Sequence, residues 1–220
     1  MNVTISSQLY HFTGYDKTTN SFKPDDDAFD ILKSILQSGY LRLSQNKVTF
    51  HLSSGGRISS TSTEIKMACV TETPIEYISE HIDKYGKFGI GFSIEWGLAH
   101  GGLSVIYTQE EYPNGLATVV SELADFFMSN GMMSHDLRAV TWLSKLSSLT
   151  ENFELRHERE WRFLYAPTMP DGYRGITFLP KDILSVICPK AYVSKIEDLL
   201  ANTKFNPKVI PTESIWNKQP

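Results

Sequence analysis

The sequence predicts an α+β fold with a largely antiparallel sheet, and three observations predict it. Short strand-like segments are interleaved with segments of helical apolar period along the chain. No internal repeat, low-complexity tract or long linker divides it, so residues 1–220 read as a single domain. A chain of 220 residues, 41% hydrophobic and 21% charged, can bury roughly 70% of its unfolded surface in one core.

The first strand is predicted over Gln8–Thr13, ending at the turn signal Gly14. A polar loop from Asp16 to Asp27 follows, broken by Pro24. Ala28, Ile31, Leu32, Ile35 and Leu36 then recur at helical spacing, and Gly39 supplies a C-terminal stop. Asp25, Asp26 and Asp27 read as helix capping and dipole complement rather than as a metal site. Leu41–Ser44 leads into the serine-rich stretch Ser53–Thr63, which reads as a mobile loop. Lys66–Glu72 is a short buried strand, and Pro74 opens a helix through Ile82 and Tyr85. Gly86 and Gly89 bracket a turn into Ile90–Trp96, which alternates as a strand. Leu103–Thr108 is a further strand, and Leu116–Asn130 and Leu137–Leu149 are helices. Strands at Glu158–Tyr165, Gly175–Phe178 and Ile183–Cys188, a helix at Ser194–Ala201 and a strand near Lys208–Pro211 complete the chain.

A formal charge of −4 and a sequence pI near 5.9 argue against a sequence-independent polyanion binder. Cys69 and Cys188 lie in separate apolar runs, so buried free thiols in a reducing compartment are expected. Met1–Tyr10 lacks the basic-then-apolar pattern of a signal peptide, and no apolar run approaches the ~20 residues of a membrane span. A cytosolic protein is expected.

Three stretches place polar groups inside apolar strands. In Tyr10-His11-Phe12-Thr13, alternation sets His11 and Thr13 on one face, where imidazole and hydroxyl can hold a sugar hydroxyl or an amide. A satisfied strand-end histidine is the structural alternative. In Ala68-Cys69-Val70-Thr71-Glu72-Thr73-Pro74, Thr71 and Thr73 share a face opposite Glu72, and helix capping explains the pattern without chemistry. In His157-Glu158-Arg159-Glu160-Trp161-Arg162-Phe163, a strand would put Glu158, Glu160 and Arg162 together. Two like charges at that spacing repel, unless Arg162 turns them into an ion-pair ladder. The six histidines show no zinc-ligand spacing, and nucleophile elbow, phosphate loop and dinucleotide fingerprint are all missing. No metal site is expected.

In chain order, the His11-Phe12-Thr13 opening, the helix ending near Gly39, Cys69 to Pro74, Tyr85-Gly86-Lys87-Phe88-Gly89-Ile90-Gly91-Phe92 and Glu160-Trp161-Arg162 resemble AbiGi-type abortive-infection proteins and related bacterial ADP-ribosyltransferase-like toxins. The likeness spans roughly residues 8 to 190. It implies an ADP-ribosyltransferase-like split antiparallel β-sheet core with flanking helices, clasping NAD as substrate. On that resemblance His11 and Thr13 hold the adenosine-side ribose, and Glu160 stabilises the oxocarbenium-like transition state electrostatically. Glu158 orients the acceptor, and Ser44, Thr71 and Tyr85 are the candidates for the middle position of the triad.

The function implied is an NAD-dependent mono-ADP-ribosyltransferase toxin of phage defence, restrained by an antitoxin or chaperone protein. Its acceptor is a macromolecule, with nucleic acid (RNA or DNA) favoured over protein by Arg156, Arg159 and Arg162 beside Trp161 and Phe163. Two alternatives remain: a catalytically inactive antitoxin or sensor module of the same kind of system, and a metal-dependent nuclease built on Glu158 and Glu160.

Overall fold

A computed structural model describes residues 6–16, 19–54, 57–108, 122–123, 125–126, 129–130 and 145–216, with the backbone alone for 48–54, 57–63 and 108. In chain order the elements are β1 (Gln8–Phe12), β2 (Tyr15–Asp16), β3 (Ser21–Phe22), α1 (Asp25–Ser38), β4 (Tyr40–Arg42), β5 (Ser44–Ser54) and β6 (Arg57–Thr71). Next come α2 (Ser79–Tyr85), β7 (Gly89–Ser93), α3 (Ile94–Ala99), β8 (Leu103–Ser104), β9 (Ile106–Thr108) and β10 (Thr150–Asn152). A 3₁₀ turn at Phe153–Glu158 leads to β11 (Glu160–Phe163), β12 (Gly175–Thr177), β13 (Ile183–Cys188), α4 (Val193–Ala201), β14 (Lys208–Pro211) and α5 (Thr212–Trp216).

The main sheet runs β14-β13-β7-β1-β6-β11-β8, with β5 paired to β6. Its pairings are antiparallel except that of β13 with β14. The central strands are covered on both faces, and the two-residue period of the strand decides which residue goes where. Leu9, Ile90, Phe92 and Val186 join the larger cluster with α1, α3 and α4, while Tyr10 and Ile187 join the smaller one with α2 and α5. Trp96 anchors the larger cluster. Its ring stacks on Phe92 at 4.2 Å, and its indole N–H donates to the Thr177 carbonyl at 2.9 Å, so the one polar atom is satisfied.

Helix α1 carries Ala28, Leu32, Ile35 and Leu36 on its buried face and ends at Gly39 in the left-handed region (φ 72°). Asp25, Asp26 and Asp27 lie inside its first turn, where they complement the dipole. The expected side-chain cap is not what the helix uses: Pro24 stands at the cap position, and Asp26 instead accepts from Tyr192 Oη at 2.7 Å.

Four further expectations are corrected. Ser53–Thr63 is not a loop: Ser53–Ser54 and residues 57–63 continue β5 and β6, whose register runs unbroken from Ser44↔Met67 to Ser54↔Arg57. Serine and threonine tolerate a pleated strand, and the Gly55-Gly56 dipeptide is a hairpin signal that the composition obscures. Ile90–Trp96 is strand only to Ser93, whose hydroxyl accepts from the Trp96 N–H at 3.1 Å and starts α3. Leu103–Thr108 is split at Val105, whose N–H donates to the Glu160 carbonyl at 2.9 Å. Glu158–Tyr165 is strand only from Glu160, because Arg159 takes a left-handed conformation (φ 46°) after the 3₁₀ turn. The predicted helices Leu116–Asn130 and Leu137–Leu149 lie mostly outside the described residues. Neither Cys69 nor Cys188 forms a disulfide; Cys188 is buried as expected, which pushes its thiol up to about 12, whereas Cys69 is only half-buried.

Candidate functional site

The three stretches singled out in the sequence meet in space. Tyr10 of β1 stands opposite Thr71 of β6, and Thr71 stands opposite Glu160 of β11, so one cross-strand row joins all three. A cleft of about 650 Å³ opens beside this row, within the size range of small-molecule sites. His11, Thr13, Ser44, Tyr85, Glu158 and Glu160 all line it, and so does Thr71.

Their partners show how each is employed. Thr13 is buried, and its hydroxyl donates to the Ala28 carbonyl at 2.9 Å, tying β1 to the first turn of α1. His11 Nδ1 donates to the Cys69 carbonyl at 2.9 Å, which fixes the ring against β6. Ser44 Oγ donates to the Met67 carbonyl at 3.3 Å, closing the base of the β5–β6 hairpin.

Glu158 is the hub. It is only 7% exposed, and every polar atom of the residue beyond its N–H is engaged. Lys84 Nζ pairs with Oε1, and the Tyr85 hydroxyl donates to Oε2 at 2.8 Å. Its carbonyl accepts from the Thr71 hydroxyl and from His81 Nε2 at 3.3 Å. Burial pushes the Glu158 carboxyl up, but the bonds from Lys84 and Tyr85 outweigh it and hold the group below its ordinary value. Burial, reinforced by the neighbouring carboxylate, drives the Tyr85 phenol far above its usual range. Burial likewise lowers His81, which keeps that imidazole neutral.

Glu160 belongs to a second network. Arg162 Nη2 donates to Glu160 Oε2 at 2.6 Å and to Glu151 Oε2 at 2.8 Å, while Nη1 donates to the Ser148 carbonyl at 2.6 Å. Burial opposes the Arg162 charge, yet the bonds to Glu160 and Glu151 raise its affinity for the proton. The Glu160 N–H donates to the Tyr107 hydroxyl at 2.7 Å. On the opposite face Glu72 accepts from Trp161 Nε1 at 3.0 Å and from Arg159 at 3.4 Å, the separation that strand alternation predicts for Glu72 and Trp161.

Glu158 and Glu160 therefore share a cleft for a reason other than the expected one. They are not alternate residues of one strand; the left-handed Arg159 turns the chain between them. Lys84, His81, Tyr107 and Glu151 were not candidates in the sequence. Only the neighbour relation Lys84-Tyr85 could have drawn attention to the first, and it becomes informative only once Glu158 is placed.

The Lys84–Glu158 pair has a pH signature. Folding lowers the Glu158 carboxyl, so its contribution is full above the ordinary value of 4.5 and is lost as pH falls through the folded value. Lys84 is half exposed, so the pair is worth about 1 kcal/mol rather than the several of a fully buried one. Lys84→Met is expected to lower stability by that amount at pH 7, measured by urea unfolding. The difference should shrink below pH 4.5. An equal difference at pH 7 and pH 3.5 would show that the ion pair is not its source.

Among the described residues no group of three or more histidine, cysteine or acidic side chains could hold a metal ion, and no helix is long and apolar enough to cross a membrane. Comparison with curated proteins and with solved structures gives no match. A family model described as "Putative abortive phage resistance protein AbiGi, antitoxin" matches residues 37–177, well over half of the chain and including Glu158, Glu160 and Arg162. The match overturns the expectation of an NAD-dependent ADP-ribosyltransferase toxin, because the family stands on the antitoxin side of the system. In the structure Glu158 pairs with Lys84 and Glu160 with Arg162. The chain belongs to the AbiGi antitoxin family of abortive phage resistance.

Proposed function

We propose that this protein is the protective component of a toxin–antitoxin pair and that it acts by binding its toxin. The observation that carries the reading is the AbiGi match over residues 37–177. The cleft supports a binding role, since Lys84 and Tyr85 already occupy the Glu158 carboxylate and Arg162 the Glu160 carboxylate. A carboxylate already neutralised by a cation has little field left to stabilise charge developing on a substrate.

The test is co-production with the toxin of its own system. Cells producing the toxin alone are expected to stop growing, and cells producing both proteins to grow and to yield a complex on purification. Failure to restore growth would overturn the antitoxin assignment. Restored growth with no complex, from protein mixed at micromolar concentration, would overturn the binding mode.

A further inference from the structure

We propose that the hairpin of β5 and β6 is the toxin-docking arm, and that it takes an extended, acidic segment of the toxin as an added strand along β5. The proposal rests on the antitoxin reading and names the surface that carries it out.

Three observations point to the arm. The first is its length beyond the sheet. β1 reaches β6 only at Thr71 and β11 only over Ala68–Thr71, so among the described residues β6 pairs with β5 alone from Arg57 to Met67. Eleven registered pairs at about 3.3 Å each make a ribbon roughly 35 Å long. A two-stranded ribbon of that length is marginal by itself in water, and a third strand would stabilise it.

The second observation is the outer edge of β5, with which no other strand pairs among the described residues. Sheet edges are usually blunted by proline, by bulges or by several charges, because an open row of N–H and C=O groups invites pairing. β5 contains no proline, its register has no shift, and Lys47 is its one charged residue. Main-chain pairing along such an edge gives affinity, and alternate side chains give selectivity.

The third is charge. Between Ser44 and Met67 the basic residues Lys47, Arg57 and Lys66 face a single acid, Glu64, in a chain whose net charge is −4. Lys47 and Lys66 are exposed. A basic arm on an acidic body selects an acidic partner and steers its approach. The whole arm also falls inside the part of the chain that the antitoxin family model matches.

Two variants test the proposal against purified toxin. In the first, residues 47–64 are replaced by an Asn-Gly turn joining the registered pair Asn46 and Ile65, which leaves the Ser44↔Met67 pairing and the rest of the sheet in place. Its binding is expected to fall at least about 100-fold and protection to be lost, with the near-ultraviolet circular dichroism of the remaining tryptophans and tyrosines unchanged, since residues 47–64 contain neither. In the second, Lys47→Glu with Lys66→Glu keeps the arm and reverses its charge. Binding should weaken about tenfold at low salt, with the gap closing in 0.5 M salt by screening. Undiminished binding by the shortened chain would overturn the arm while leaving the antitoxin reading intact. Should the shortened chain not fold, undiminished low-salt binding by the charge-reversed chain overturns the proposal. Binding of RNA or DNA through the arm, with toxin bound elsewhere, overturns it too. A native chain that neither binds nor neutralises the toxin overturns both readings.

Discussion

Arg162→Met is expected to lower stability by about 3 kcal/mol, the lower end of the cost of stripping one partner from a buried ion pair. Among the described residues the guanidinium is the cation that pairs with Glu160, and it also binds Glu151 and the Ser148 carbonyl. Methionine matches much of its length but none of its donors, so it leaves a mostly buried carboxylate facing a thioether. The cleft beside Glu160 admits water and softens that penalty, which is why the lower end of the range applies. For a chain of this size the loss corresponds to a fall of roughly 6–12 °C in Tm. The double variant Arg162→Met with Glu160→Gln should regain part of it, because the orphaned charge is gone. A loss under about 1 kcal/mol in the single variant would mark the network as a solvated ladder of the kind that surface ion pairs form.

The same network explains what was legible in the sequence and what was not. Helix α1 could be read outright, since Ala28, Leu32, Ile35 and Leu36 mark its buried face and Gly39 its left-handed end. Strand β13 could be read too, because Ile183–Cys188 is apolar and bounded by proline on both sides. Local signals fixed those elements. The hairpin escaped because its serines and threonines resemble loop composition, and only the pairing of Ser44–Ser54 with Arg57–Met67 settles the matter.

The site divides along the same line. Residues in motifs of strand character, namely His11, Thr71 and Glu160, could be suspected from polar groups among apolar neighbours. The sheet order β1-β6-β11 then brings them together. The partners that determine what these residues do come from elsewhere in the chain. Lys84 meets Glu158 across 74 positions, and the Tyr107 hydroxyl meets the Glu160 N–H across 53. No local pattern encodes such a meeting. The sequence placed two glutamates close together, and only the fold shows that Lys84 pairs with one and Arg162 with the other.

Gly86→Ala is expected to cost 3 kcal/mol or more, on the order of the clash and backbone terms together. Gly86 has φ 97° and ψ 173°, a region that is essentially glycine's own, so any side chain there strains the backbone by about 1–3 kcal/mol. Space is lacking as well: a β-carbon at Gly86 would stand 2.5 Å from the Gly14 Cα, and one at Gly14 would stand 2.7 Å from the Gly86 Cα. Backbone cannot yield there as a flexible side chain would. The crossing has a purpose in the site, because Gly14 follows Thr13 and Gly86 follows Tyr85, and both neighbours line the cleft. Forcing the two chains apart should therefore pull the Tyr85 hydroxyl from Glu158 as well as destabilise the fold. Gly39→Ala provides the comparison, since Gly39 also has a positive φ (72°, in the milder left-handed helical region) but an added β-carbon meets nothing within 4 Å. That variant should lose only the backbone term, about 1 kcal/mol. Denaturant unfolding of the two variants separates strain from crowding. Equal losses of about 1 kcal/mol would mean that the Gly14–Gly86 contact relaxes freely and adds nothing to the backbone cost.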